Sequence, residues 1–185
     1  MKKAKYLFVT TSVIVTITGL LLSGSTGIFF SSSSARPVSC DNGDLKPSPS
    51  SHTLPAILVH GYSEISLIWT NWEHNLQQNG IQYCTVSFHP DDVCGTATHD
   101  SMELGQIVQK VKSMTLQDQV NIVAHSKGGL DARLYLDKSG THDVANLIMI
   151  GTPNKGSPFA DYREFYNLDP FCPAIHDLTT HAPVD

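Results

Sequence analysis

The sequence predicts an α/β fold: a three-layer α/β/α sandwich around a mainly parallel sheet. Three observations predict it. From Leu54 onward, short runs rich in Val and Ile alternate with amphipathic helical stretches. Each strand–helix repeat has the length of a right-handed crossover between parallel strands. The strand runs are apolar throughout rather than alternating, as strands covered on both faces are.

Pro55–His60 is the first strand, ended by Gly61. Ile65, Ile68, Trp69, Trp72 and Leu76 recur at helical spacing, and Asn79-Gly80 closes that helix. Ile81–Phe88, rich in β-branched and aromatic residues, is the second strand. A loop with Asp91, Asp92, Cys94 and Gly95 leads to a second helix, whose apolar stripe is Leu104, Ile107, Val108, Val111 and Met114. Gln119–Ala124 is the third strand, a helix runs from about Gly128 to Asp137, and Val144–Ile150 is the fourth strand. The Trp and Met residues are expected in the core. Residues 155–185 hold no convincing strand and read as a lid-like or cap-like segment rich in Pro.

Composition narrows the function. The 185 residues are 41% hydrophobic and 16% charged, unlike a disordered chain. Thirteen Gly and ten Pro without a period exclude collagen and a continuous coiled coil. A pI near 5.9 excludes the basic footprint of a nucleic-acid partner. Residues 1–35 stand apart. Lys2, Lys3 and Lys5 precede an uncharged stretch from Tyr6 to Ala35, with small residues at 23–25 and 33–35. This is the pattern of a secretory signal peptide. If uncleaved, residues 6–30 would serve as a membrane anchor. Either way the remainder is expected outside the cell, either secreted or anchored on the outer face. Residues 36–53, rich in Ser, Pro and Gly, read as a linker.

All four cysteines follow residue 35, and an even count in an exported chain suggests disulfides. Cys84–Cys94 makes the shortest loop and is the favoured pair, leaving Cys40–Cys172. Neither a C-x-x-C pair nor a closely spaced His pair is read as pointing to zinc. Asp91 and Asp92 read as solvated turn residues, and no metal or cofactor is expected.

The chemistry falls where strands end. Ala124-His125-Ser126-Lys127-Gly128-Gly129 joins a strand to a helix. Small residues two before and two after Ser126 let the chain turn sharply and present the hydroxyl, as in a G-x-S-x-G nucleophile elbow with Ala in the first place. His60-Gly61-Tyr62 follows the first strand and can aim the Tyr62 amide at the same point. The Lys127 amide is the second candidate donor for an oxyanion. Gly151-Thr152-Pro153 ends the fourth strand and is expected to line the cleft with His60, Gly61 and His125.

These three motifs together resemble the bacterial lipase and esterase branch of the α/β-hydrolase superfamily. Short secreted bacillus-type lipases also place Ala first in the elbow. The resemblance implies an α/β-hydrolase domain over residues 54–185 and a lipid or small ester substrate. It also implies a serine nucleophile at Ser126 that forms an acyl-enzyme. In this superfamily the triad runs Ser, then acid, then His. That order places the acid and His beyond residue 185, in strands absent from this stretch, so that the chain reads as a C-terminally truncated fragment of low activity and poor solubility. In-chain candidates are Asp161, Asp169 and Asp177 as acid and His176 and His181 as base. An inactive exported binding module on the same fold and an acyltransferase or thioesterase are the alternatives.

Overall fold

The computed structural model describes residues 39–88, 93–140 and 142–182. The signal-or-anchor segment, with residues 6–30, and the Asp91-Asp92 loop lie outside the described residues. Among the described residues, no helix is long and apolar enough to cross a membrane.

Among the described residues, five strands form one sheet. They are β1 (Ser39–Asn42), β2 (Ala56–Val59), β3 (Tyr83–Ser87), β4 (Val120–His125) and β5 (Val144–Ile150), in the order β1-β3-β2-β4-β5. The last four run parallel, and β1 pairs antiparallel with β3. The helices are α1 (Thr70–Gln78), α2 (Ala97–Thr115), α3 (Lys127–Ser139), α4 (Pro158–Phe165) and α5 (Ala174–Asp177).

Strand alternation divides the core into two layers. Ile57, Val59, Val86, Ile122 and Ala124 pack on one side with Leu104, Ile107, Val108 and Val111 of α2 and with Ala132 and Tyr135 of α3. Ala56, Leu58 and Val123 face the other side, against Trp69, Leu76 and Ile81. The four α2 residues are fully buried. Each contributes about 1.5–3 kcal/mol by leaving water. This is the expected three-layer arrangement.

The α1 layer is thinner than its periodicity suggests. The helix opens with a 3₁₀ turn, Ser66–Trp69. That turn advances 120° per residue instead of 100°, which takes Ile65 and Ile68 out of phase with α1. Trp69 is buried, whereas Ile65, Ile68 and Trp72 are exposed. Met102, Met114 and Met149 are likewise exposed, against expectation.

Residues 36–53 contain β1, which the linker reading lacks. It is four residues long and shows no alternating apolar pattern, so only its ladder with β3 reveals it. That ladder also corrects the disulfides. Cys40 lies beside β3 and bonds Cys84, while Cys94, just before α2, bonds Cys172. Shortest-loop reasoning fails because strand pairing brings Cys84 to β1. The Cys94–Cys172 bridge spans 78 residues and fastens the tail to the start of α2. Asp177 reinforces the tie, its Oδ2 accepting the Ala97 N–H at 2.6 Å.

The loop length sets a stability effect. Replacing Cys94 and Cys172 together with Ser is expected to lower unfolding free energy by about 4 kcal/mol. Urea unfolding under oxidising conditions measures it, and a loss below about 1 kcal/mol would contradict the bridge's role.

Candidate active site

The sheet order creates a crevice. After β2 the chain moves toward β3 on one side; after β4 it moves toward β5 on the other. Ligands of open α/β sheets bind at such a switch point, outside the carboxyl ends of the strands. Val59 pairs with Ala124, so the residues that follow, His60-Gly61-Tyr62 and His125-Ser126-Lys127, leave the sheet side by side.

Ser126 occupies φ 51°, ψ −125°, at the start of α3. Non-glycine residues rarely adopt such a backbone, which costs about 1–3 kcal/mol. Neighbouring strands and helix hold it there. The Ser126 N–H donates to the Ile150 carbonyl of β5 at 2.9 Å, and its own carbonyl accepts the Gly129 N–H at 3.1 Å. The surrounding glycines are matched to this packing. A Cβ at position 61 would lie 2.6 Å from Ser126 Cβ, and one at position 128 would lie 2.4 Å from the His60 carbonyl oxygen. Gly129 meets Thr152 in the same way. The three sequence motifs therefore converge on one bend.

The family-model match runs over the same part of the chain: the alpha/beta hydrolase fold, residues 55–170. The chain belongs to that family. A triacylglycerol lipase of Pseudarthrobacter phenanthrenivorans is 31% identical over 126 residues, 63% of this chain and 38% of the relative. A triacylglycerol lipase of Burkholderia plantarii is also 31% identical over 126 residues, 34% of its length. The chain thus spans little more than a third of these relatives. The mature lipase BlEst2 of Bacillus licheniformis superposes with a TM-score of 0.63 at 25% identity, over 75% of this chain and 59% of that one.

Within this α/β-hydrolase, the side chains around Ser126 have distinct tasks. His60 is buried, its Nδ1 3.0 Å from the Gly61 carbonyl and its ring edge-on to Phe88. Tyr62 reaches the tail. Its hydroxyl donates to Asp169, and its ring packs near Leu130, Cys172 and Ile175. Burial, followed by the Asp169 charge, pushes the Tyr62 phenol up, with Arg163 opposing. His125 Nδ1 lies 2.8 Å from Glu64 Oε2, and the same oxygen accepts the Gly61 N–H at 2.7 Å. Glu64 thereby fastens the loop after β2 to the elbow. The sequence reading missed it. Its signal was spacing: an acid three residues after Gly61 that reaches back to a backbone amide, as the acid of a capping box does.

Beneath the elbow lies a buried charge cluster. Lys127 Nζ is 2.7 Å from Asp100 of α2 and 2.7 Å from Asp131 of α3. Burial pulls the Lys127 ammonium down, but Asp131 and Asp100 outweigh it and hold it above its ordinary value. One ammonium faces two carboxylates in a dry setting, so an excess negative charge remains. Asp131, almost fully buried, bears it worst. Burial pushes its carboxyl up to about 8, against the opposing pull of Lys127.

The in-chain candidates for triad acid and base are engaged elsewhere. Asp177 caps α2. Asp169 accepts two hydrogen bonds from Arg163, which hold its carboxyl below the usual range. Asp161 accepts the Thr180 N–H and hydroxyl, and these bonds, the amide's first, lower its pKa. His176 and His181 both contact Glu164.

Two variants probe the elbow's foundations. Gly128→Ala forces a methyl into backbone atoms of residues 59 and 60. It is expected to cost about 1–3 kcal/mol by urea unfolding, as overpacking does. Asp131→Asn tests the charge cluster. Because the folded-state pKa of Asp131 lies above its unfolded value near 4, the folded chain keeps a proton that the unfolded chain releases. Stability therefore falls as pH rises from about 4 to about 8. The native chain should lose more stability than Asp131→Asn between about pH 5 and pH 8.5. Equal losses would show that Asp131 does not titrate in this window.

Proposed function

We propose that the protein is a serine carboxylic-ester hydrolase of the lipase and esterase kind, with Ser126 as nucleophile. The observation that carries this reading is the strained Ser126 backbone at the switch point, pressed against Gly61.

In the proposed reaction, Ser126 Oγ attacks the ester carbonyl carbon while a histidine takes its proton. The alcohol leaves with that proton, giving an acyl-serine. Water then adds, releases the carboxylic acid and restores the hydroxyl. The Tyr62 and Lys127 amides are proposed to donate to the oxyanion. One such donor is worth about 2.7–4 kcal/mol of transition-state stabilisation. The α3 N-terminus adds partial positive charge at the same point. Anchoring of Lys127 Nζ to α2 and α3 supports this role by fixing the residue whose amide is used. The acid and histidine are assigned to sequence beyond residue 185, in line with the chain order of the family.

The proposed substrate is a lipid or other carboxylic ester. Two features support it: the named activity of the relatives, and the exposed Phe159, Tyr162, Phe165 and Tyr166 of the segment read as a lid. The two disulfides support export, since such bonds persist in oxidising compartments.

Active-site labelling tests the nucleophile. A fluorophosphonate should modify the chain slowly at Ser126, and Ser126→Ala should abolish the adduct. Hydrolysis of p-nitrophenyl butyrate should run at least about a thousandfold below that of an enzyme with its full triad. An adduct on another residue, or one that survives in Ser126→Ala, overturns the assignment.

A further inference from the structure

The tail carries a cluster of ligand-type side chains that ester hydrolysis does not use. Glu164 comes from α4, His176 from α5, and His181 follows five residues later. His176 Nδ1 is 2.7 Å from Glu164 Oε1, and His181 Nε2 is 3.0 Å from Glu164 Oε2. One donor atom from each residue falls within 4.8 Å of the other two.

We propose that Glu164, His176 and His181 form a zinc site, with Asp161 as the residue that orients His181. Four features favour a metal over a plain ion-pair network. The donor set, two imidazoles and a carboxylate, is one that zinc accepts, and the two histidines have a spacing found in zinc sites. The donor atoms need move by only about 1 Å to reach the roughly 3.4 Å separations of a tetrahedral zinc site. His181 turns Nε2 to the cluster while its Nδ1 lies 3.7 Å from Asp161 Oδ1. At that separation the carboxylate faces the imidazole as a nearby charge, one short shift from the carboxylate–histidine contact that orients a metal ligand. Asp161 is itself held in place by two hydrogen bonds from Thr180, the neighbour of His181.

Exposure fits as well. The three ligand side chains are between 36% and 60% exposed, which leaves an approach for the ion and a fourth position for water. The cluster His99, Asp100 and Glu103 also brings three donors together. There Asp100 already holds the Lys127 ammonium, and both carboxylates are buried. It is the weaker candidate and supplies the control.

Zinc at the first cluster would join α4 to the chain after α5. It would fasten the tail at a point separate from the Cys94–Cys172 bridge. The proposal rests on nothing in the ester-hydrolase reading.

Calorimetric titration of the metal-free full chain with Zn²⁺ alone tests it. One equivalent should bind near neutral pH and raise the melting temperature, and a chelator should reverse the rise. His176→Ala and His181→Ala should each weaken binding at least about 100-fold, and Asp161→Asn about 10- to 100-fold. His99→Ala should leave it unchanged. Glu164→Gln, nearly isosteric, checks the carboxylate should an alanine variant unfold, with circular dichroism reporting the fold. No saturable binding below millimolar Zn²⁺ overturns the proposal. So does one-equivalent binding that survives His176→Ala combined with His181→Ala, or that is lost in His99→Ala.

Discussion

The site depends on one steric constraint: two chain segments leave the sheet so close together that each places a glycine against the other. Gly61 lies against Ser126, and Gly128 lies against the His60 carbonyl. The parallel pairing of Val59 with Ala124 sets this closeness before any side chain is considered. The strained φ and ψ of Ser126 follow from it. A residue there pays its backbone strain only because β5 and α3 hold it from both sides, through Ile150 and Gly129. The surrounding packing therefore holds the Ser126 backbone in this geometry.

The same bend is braced electrostatically. Lys127, next to the serine, sends its side chain down to Asp100 and Asp131, so α2 and α3 share one ammonium. Burying three ionisable groups for one positive charge is a poor way to gain stability, because desolvation opposes the Coulomb attraction. What the cluster supplies is position: displacing Lys127 would leave Asp100 and Asp131 buried without their shared donor, so α2 and α3 stay fixed relative to the elbow. Glu64 plays a matching part above, where one carboxylate oxygen serves both the Gly61 amide and His125. The loop after β2 and the loop after β4 thus share a polar clasp as well as a steric contact.

Legibility in the sequence followed the range of the interaction. The parallel strands were readable because covered strands leave unbroken apolar runs; Val144–Ile150 was located to the residue. The elbow was readable because its chemistry is local, with small residues placed at fixed offsets from Ser126. β1 was not, since a short polar edge strand is defined by its ladder with β3 alone. The disulfides were misassigned for the same reason, because they record which segments meet in space. Glu64 left only its spacing from Gly61 as a signal, and Asp100 and Glu164 were invisible as site residues. Each acts on a partner brought to it by the fold, and none belongs to a motif. Ile65 and Ile68 misled in the opposite sense: their spacing is helical, but a 3₁₀ turn rotates them outward.

β5 links the elbow to the exposed side of the sheet. It is one of the two edge strands among the described residues, yet it is apolar on both faces, and Ile148 and Met149, which point in opposite directions, are both exposed. Apolar residues on both faces mark a parallel strand built to be covered. An edge of this kind is also a template for another strand. The Ile150 carbonyl of this same strand accepts the Ser126 N–H. Local stability scales with buried apolar contact, and the strained serine is anchored to an edge strand whose apolar residues are partly exposed. The exposed sheet edge and the backbone geometry of Ser126 therefore meet in one hydrogen bond.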